Sequence, residues 1–164
     1  MKIIAIIVVV VLIIVLAFFL FAKYLPQIEA RAERNFKKNF DTAVRRGDMA
    51  AVEKMLKKGP YVSLNGALNY AAEQGNIEMV KFFIEKGAEI NKVHGGYTPL
   101  ARAIMCTALM KEAKYTELVK FLIDQGADVN LKDENGMTPL QLAEKYGTDL
   151  PQEIKEMLKR AGAK

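Results

Sequence analysis

The chain reads Gly-Tyr-Thr-Pro-Leu at residues 96–100 and Gly-Met-Thr-Pro-Leu at residues 136–140. A second pair of matching words follows two apolar stretches with helical spacing: Gly-Ala-Glu-Ile-Asn at residues 87–91 and Gly-Ala-Asp-Val-Asn at residues 126–130. A third such stretch ends in Ala-Gly-Ala at residues 161–163. Similarity at this spacing predicts a stack of repeat units, each of which needs its neighbours to bury its core.

Each position of these words has a local chemical reason. Thr98 and Thr138 can accept a hydrogen bond from a free amide at a helix start, and the proline that follows has no N–H to leave unpaired. Glycines such as Gly75 and Gly126 suit helix ends, where the backbone turns left-handed. A small residue such as Ala103 lets two helices approach closely. The words therefore predict pairs of short helices joined by tight turns.

These words and their spacing resemble the ankyrin repeat, whose period is about 33 residues. The resemblance implies an all-α ankyrin-repeat solenoid, built from helix-turn-helix pairs with short hairpin loops. We expect a repeat domain over residues 39–164, with units at about 39–64, 65–93, 94–132 and 133–164. Unit one is degenerate, and unit four is expected to act as a closing cap.

Unit three departs from the pattern. Gly96 and Gly136 lie forty residues apart, about seven more than the usual period. The extra residues fall between Met105 and Tyr115, and their composition favours helix. We expect a lengthened first helix or a protruding elbow. Two interpretations stay open: a contribution to a binding face, or a tolerated surface extension.

An unbroken apolar run occupies residues 3–22. As a helix rising about 1.5 Å per residue it would reach roughly 30 Å, the thickness of the hydrocarbon core of a bilayer. We therefore predict an N-terminal transmembrane helix over residues 1–22 that is kept as a signal anchor. The alternative is a cleaved signal peptide, but those have apolar cores of about 7 to 15 residues and small residues at the cleavage site, where this chain has Leu20.

Residues 23–38 are expected to form a basic juxtamembrane linker. Apolar residues recur every four positions from Ile28 through Phe36 to Phe40, which predicts an amphipathic helix. Its candidates for contact with lipid headgroups are Lys23, Arg31, Arg34, Lys37 and Lys38. The helix either lies on the membrane surface or packs Phe36 and Phe40 under unit one. We favour the second, because the end of a solenoid otherwise exposes its core.

The charge balance around the apolar run bears on topology. Basic residues are more numerous after the run than before it, so the positive-inside rule favours a cytoplasmic repeat domain. A periplasmic or other extracytoplasmic domain is the alternative, and the single cysteine, Cys106, is compatible with both.

Few residues are suited to catalysis. The chain contains one serine (Ser63), one histidine (His94) and one cysteine (Cys106). Ser63 lies in no Gly-x-Ser-x-Gly motif, His94 falls in a predicted hairpin tip, and Cys106 is expected to be a packed helix residue. We predict no enzyme activity, no catalytic or cofactor-binding residue, and no metal site, because a structural zinc site needs about four ligands.

The repeat domain shows no basic patch, which argues against a nucleic-acid partner.

The resemblance implies protein binding, because ankyrin repeats bind partners through their hairpin tips and the exposed face of their first helices. Among the matching positions, Tyr97, Met137 and Tyr146 are expected to be exposed anchors. The alternative is that these positions are ordinary surface. The full set of candidate partner-binding residues is Arg45, Arg46, Glu73, Gln74, His94, Tyr97, Glu134, Asn135, Met137, Lys145 and Tyr146.

We therefore predict a membrane-tethered protein–protein interaction module, a scaffold or adaptor that confines a protein partner near the bilayer. The sequence does not identify the partner, and the expected oligomeric state is a monomer. One alternative is an accessory subunit of a membrane enzyme or transporter, assembled through its anchor. The other is an exported binder or inhibitor of an extracytoplasmic protein.

Overall fold

The computed structural model describes the backbone of residues 2–58 and 63–164, and the side chains of residues 13–57, 63–147 and 149–164. The side chains in the first half of the predicted anchor and the loop of unit one that contains Gly59 lie outside these ranges. The chain forms two compact units, residues 1–39 and 40–164, which are described separately.

All regular elements within the described ranges are helices. The α-helices are α1 (Lys2–Arg46), α2 (Met49–Lys58), α3 (Leu64–Gln74), α4 (Ile77–Glu85), α5 (Pro99–Met110), α6 (Ala113–Asp124), α7 (Pro139–Tyr146) and α8 (Gln152–Arg160), and a 3₁₀ turn covers Gly147–Asp149.

The N-terminal unit consists of α1 up to residue 39. This helix continues through Pro26, so the predicted anchor and linker form one continuous helix rather than two separate elements. Its described part is long and apolar enough to cross a membrane, with a mean hydropathy of 1.6, on length and composition alone. Large apolar side chains on it are open to their surroundings: Phe18 is 69% and Phe19 is 68% exposed.

The C-terminal unit contains four helix pairs: the end of α1 with α2, then α3 with α4, α5 with α6, and α7 with α8. The first helices α3, α5 and α7 pack side by side, and α6 packs on α8. Ala71, Ala103 and Ala143 occupy equivalent positions on these first helices and are fully buried, as the predicted close approach requires. At the N-terminal end, Phe40 is 2% exposed, and its ring centroid lies 6.3 Å from that of Phe83.

The predicted helix starts are confirmed. Thr98 Oγ1 accepts a hydrogen bond from the Ala101 amide at 3.1 Å. Thr138 forms a capping box, in which its Oγ1 accepts from the Gln141 amide and its own amide donates to Gln141 Oε1 at 2.9 Å. Gly75 ends α3 with φ 67°, in the left-handed region expected for it.

Asparagines accept hydrogen bonds from the turns that end repeats two, three and four, and two of them, Asn91 and Asn130, link one repeat to the next. Asn65 Oδ1 accepts from the Glu89 amide at 2.8 Å, Asn91 Oδ1 from the Asp128 amide at 2.8 Å, and Asn130 Oδ1 from the Lys164 amide at 2.9 Å. In all three cases the donor directly follows a Gly-Ala pair. The repeated Gly-Ala motif therefore does more than end a helix, because the amide that follows it donates to an asparagine, which for Asn91 and Asn130 belongs to the preceding repeat.

The extra residues of repeat three lengthen both of its helices. Helix α5 ends at Met110, seven residues after Ala103, whereas α3 and α7 each end three residues after the equivalent alanines Ala71 and Ala143, and α6 has 12 residues against 9 in α4 and α8. These differences of four and three residues account for all seven. The two helices are joined at Lys111, which has φ 55° and is the one non-glycine residue with positive φ in the described part of the chain. The expected lengthened helix is thus present, and the addition extends to α6 as well. We call the turn and the helix ends that flank it the elbow, residues 107–116.

Replacing Asn91 by Ala should lower the free energy of unfolding by about 1 kcal/mol, because the Asp128 amide loses its acceptor. Urea unfolding of the full chain in detergent micelles, followed by circular dichroism at 222 nm, measures the change. Lys92→Ala is the matched control, since Lys92 is the neighbouring exposed residue and only its backbone is hydrogen-bonded. Equal stability of the two variants would contradict a linking role for Asn91.

The left-handed conformation of Lys111 also has a measurable cost. A residue with a Cβ in this region is disfavoured by about 1 to 2 kcal/mol, whereas glycine adopts it freely. We expect Lys111→Gly to be about 1 kcal/mol more stable than Lys111→Ala in the same urea experiment. Both variants remove the Lys111 ammonium, so the comparison reports on the backbone alone. A more stable alanine variant would show that Lys111 is not left-handed.

Candidate functional site

The first-helix face is the surface formed by the exposed sides of the end of α1, of α3, α5 and α7, and by the hairpin tips that precede α5 and α7. The repeat pattern placed the candidate partner-binding residues on this face. The structure places most of them in three local clusters.

Arg102 organises the centre of the face. Its side chain is only 17% exposed, and its Nη1 lies 3.6 Å from Glu73 Oε2 on the neighbouring helix α3. Its Nη2 donates to the Gly95 carbonyl at 3.1 Å, and its guanidinium carbon lies 4.6 Å from the centroid of the Tyr97 ring. One arginine on α5 thus holds a carboxylate of repeat two and an aromatic ring of the repeat-three hairpin.

The two tyrosines of this region are less open than the sequence suggested. Tyr97 and Tyr146 are half-buried rather than exposed. Burial raises the pKa of the Tyr146 hydroxyl, with smaller contributions from Tyr97 and Cys106, which indicates that the two tyrosines are neighbours. The prediction of exposed anchors was wrong for both residues, and the guanidinium of Arg102 on α5 lies over the Tyr97 ring.

A second cluster joins repeats one and two. Interaction of the Arg45 guanidinium with the Tyr70 hydroxyl of α3 raises the pKa of Arg45 and is the largest cause of that shift. Arg45 is exposed and Tyr70 is half-buried. Nearby candidates differ in exposure, since Arg46 is exposed while Gln74 is half-buried.

The hairpin tip of repeat four is shaped by Asp133, which is 6% exposed. Its Oδ1 accepts from the amides of Asn135 and Met137, both at 2.9 Å, and its Oδ2 accepts from Asn135 Nδ2 at 3.3 Å. Asn135 therefore stabilises its own hairpin loop. Met137 is half-buried, contrary to the expectation of an exposed anchor, whereas Glu134 is exposed and its amide donates to the Gly96 carbonyl at 3.1 Å.

The remaining sequence candidates lie outside these clusters. Lys145 is exposed on α7. His94 is exposed, and its ring lies against α3, where a Cβ at Gly66 would come within 2.9 Å of the imidazole Nε2. The five lipid-headgroup candidates are all exposed on α1: Lys23, Arg31, Arg34, Lys37 and Lys38.

The residues that could carry chemistry have structural roles. Ser63 Oγ also lies 2.9 Å from the Cβ site of Gly66, so the structure brings Ser63 and His94 near each other. Ser63 Oγ caps α3 by accepting the Gly66 amide, and no Ser63–His94 hydrogen bond occurs among the described residues. Cys106 is 3% exposed, and burial raises the pKa of its thiol to about 11, so it is protonated at neutral pH. Within the described ranges, no three His, Cys, Asp or Glu residues are grouped closely enough to hold a metal ion.

Sequence reasoning missed Arg102, Tyr70 and Asp133. Asp133 had a usable signal, because an aspartate two to four residues before exposed turn amides is a common turn former. Arg102 and Tyr70 had none, since their importance comes from partners on other repeats. The face is therefore a set of clusters that cross repeat boundaries rather than a row of independent exposed positions.

Comparisons with known proteins agree with this architecture. Family profiles described as "Ankyrin repeats (3 copies)" and "Ankyrin repeats (many copies)" match residues 40–108 and 105–151, which together span more than half of the chain. Among solved structures, the chain is similar to an ankyrin repeat domain from Acinetobacter baumannii AYE, with 32% identity and a TM-score of 0.60. That match covers 76% of this chain and 64% of the other, so this chain spans less than two-thirds of the length of that structure. No curated protein matches the chain.

Four observations lead to one conclusion: the helix pairs, the confirmed Thr-Pro caps, the buried alanines between first helices, and the matches across residues 40–151. The chain belongs to the ankyrin repeat family.

Proposed function

We propose that this protein is a membrane-tethered protein-binding module without catalytic activity. Its ankyrin repeats indicate a protein–protein interaction module. The observation that supports a defined binding face is the Arg102 cluster, in which one guanidinium holds Tyr97 and Glu73 at the junction of repeats two and three.

This cluster favours binding because its side chains are ordered before a partner arrives. An unrestrained long side chain loses conformational entropy when it is immobilised at an interface, at about 0.5 to 1.5 kcal/mol each. Tyr97 keeps an amphipathic ring at the surface while the contact with Arg102 restricts its motion. A half-buried tyrosine therefore remains a suitable anchor, although it offers less area than the sequence suggested.

Helix α1 supports the tethering part of the proposal. Confining a binding module to a membrane raises the local concentration of its partner without any new contact. The basic residues that follow the apolar stretch are exposed, as contact with headgroups requires. Their excess over the basic residues before the stretch favours a cytoplasmic repeat domain.

The buried, protonated thiol of Cys106 supports the proposed absence of catalytic activity. With a thiol pKa of about 11, only about one molecule in a thousand would carry the reactive thiolate at pH 8. Ser63 is committed to capping α3. Neither residue has the activated environment of a nucleophile.

A photocrosslinking experiment tests the binding face. p-Benzoylphenylalanine at residue 97 should give a specific protein adduct in cells, whereas the same probe at Lys81, exposed on the second helix α4, should not. Replacing Glu73 by Ala in the residue-97 probe protein should reduce the adduct several-fold, because Arg102 loses its carboxylate partner. Equal adducts from residues 97 and 81 would contradict a face-specific interaction.

Exchanging the anchor distinguishes the tethering function from the alternative of an accessory subunit that assembles through its anchor. If residues 1–22 are replaced by an unrelated apolar helix, a tethered module keeps the residue-97 adduct. A subunit that assembles through its anchor loses it.

Topology is tested with a membrane-impermeant maleimide. The native thiol is a poor reporter because it is buried, so we expect it to stay unlabelled in the folded protein even in opened cells. A Cys106→Ala, Lys159→Cys variant carries one exposed thiol on α8 instead. For a cytoplasmic repeat domain this variant labels only after the cells are opened. Labelling in intact cells would contradict that topology and favour the exported binder.

A further inference from the structure

The elbow of repeat three forms one wall of a groove with a volume of about 610 Å³. Lys111 and Glu112 lie at the elbow turn and Glu117 on α6, whereas Asp149 and Leu150 line the opposite wall in the connection between α7 and α8. That connection has five residues, 147–151, where the other three helix pairs have two. The groove therefore lies where repeats three and four both depart from the regular pattern. Its volume is within the range of roughly 300 to 1,000 Å³ typical of ligand clefts.

The groove carries an excess of negative charge. Its lining includes four carboxylates, those of Glu112, Glu117, Asp149 and Glu153, against the single ammonium of Lys111. Lys111 Nζ lies 2.9 Å from Asp149 Oδ1, so this ion pair bridges the two walls of the groove. Glu112 forms an ion pair with Lys114 at 3.0 Å. Glu117 and Glu153 form no ion pair with any described residue. Charge complementarity therefore favours a cationic group in the groove.

Two exposed apolar side chains lie at the tip of the elbow, next in sequence to groove-lining residues but outside the groove lining itself. Leu109 is 60% and Met110 is 55% exposed, and both occupy the last turn of α5, between the groove-lining residues Thr107 and Lys111. In the described part of residues 40–164, Met49 is the only other large apolar side chain among the most exposed, at 37%. An extension that were only a solvated spacer would not need apolar side chains at its tip. Their position favours a protein segment over a free cation.

Two helix starts at the groove also lack a side-chain cap. No described side chain accepts from the first amides of α6 or of α8, unlike those of α3, α4, α5 and α7. Such amides are hydrogen-bond donors that the carbonyl groups of an extended peptide can satisfy. This feature complements the carboxylates, since a peptide offers both carbonyl acceptors and cationic side chains.

We propose that the elbow groove is a second docking site, which takes a segment of a partner protein carrying a Lys or Arg next to apolar side chains. The cation pairs with Glu117 and Glu153, and the apolar side chains pack on Leu109 and Met110. None of the residues that line the groove belongs to the Arg102 cluster, although Leu109, seven residues after Arg102, lies on the same side of α5. The inference rests on the proposed protein-binding function in one respect, namely that the ligand is a segment of a protein.

Selection from a phage library of random twelve-residue peptides tests the proposal. The full chain is embedded in nanodiscs of zwitterionic lipid, and phage that bind empty nanodiscs are removed first. Selected peptides are then synthesised, and their affinities are measured by fluorescence polarisation. We expect enriched peptides that share a Lys or Arg within a few residues of a large apolar residue.

Matched variants locate the bound peptide. Leu109→Ser with Met110→Ser, and separately Glu117→Gln with Glu153→Gln, should each weaken binding at least tenfold, as expected for the loss of anchor contacts. Both pairs keep the fold intact by design, because Leu109, Met110 and Glu117 are exposed and Glu→Gln preserves side-chain shape. Circular dichroism melting of each variant checks this. Tyr97→Ala, on the first-helix face, should leave the affinity unchanged.

Three results would overturn the proposal. The first is a consensus without a cation. The second is binding that is lost in Tyr97→Ala but kept in both elbow variants, which would support the first-helix face alone. The third is a doubled protein mass by analytical ultracentrifugation that returns to the monomer value in Leu109→Ser with Met110→Ser, which would make a second copy the occupant.

Discussion

The close approach of successive first helices is the constraint on which the remaining structure depends. Ala71, Ala103 and Ala143 are fully buried at equivalent positions, where a larger side chain would push neighbouring helices apart. Because contacts in a repeat protein are made mainly between neighbours, each of these junctions carries stability for both repeats that it joins. The linking asparagines act at the same junctions, and the Arg102 cluster depends on the same spacing to bring Glu73 within reach.

The parts of the structure that follow from local chemistry could be predicted from the sequence. A threonine before a proline indicates a capped helix start, and a glycine at a helix end indicates a left-handed turn, because both preferences are properties of a few adjacent atoms. The division of seven extra residues between α5 and α6 could not be predicted, since either helix has a composition that accepts them. The left-handed Lys111 could not be predicted either, because lysine has no preference for that conformation.

The candidate site shows the same limit more strongly. Repeat positions indicated the face on which the candidates lie, but the contacts on it come from residues far apart in sequence, such as Arg102 with Glu73 and Arg45 with Tyr70. Arg102 covers part of the Tyr97 ring, Tyr146 is half-buried, and Asp133 accepts a hydrogen bond from Asn135 within its own loop. A position on a binding face therefore does not by itself distinguish an open side chain from one that supports its neighbours.

The way in which repeat three gained its length has a consequence for how such a domain evolves. Helices α5 and α6 are antiparallel, and each is about one turn longer than its counterpart, with additions of four and three residues. Both additions lie at the joined ends of the two helices. One turn is 3.6 residues, so the chain leaves each lengthened end on nearly its original side, and a two-residue connection still reaches the partner helix. A single added residue in one helix would instead rotate that helix end by about 100°. Lengths at this end of an ankyrin repeat are thus expected to change in paired turns, which lets the surface vary while the stack is unchanged.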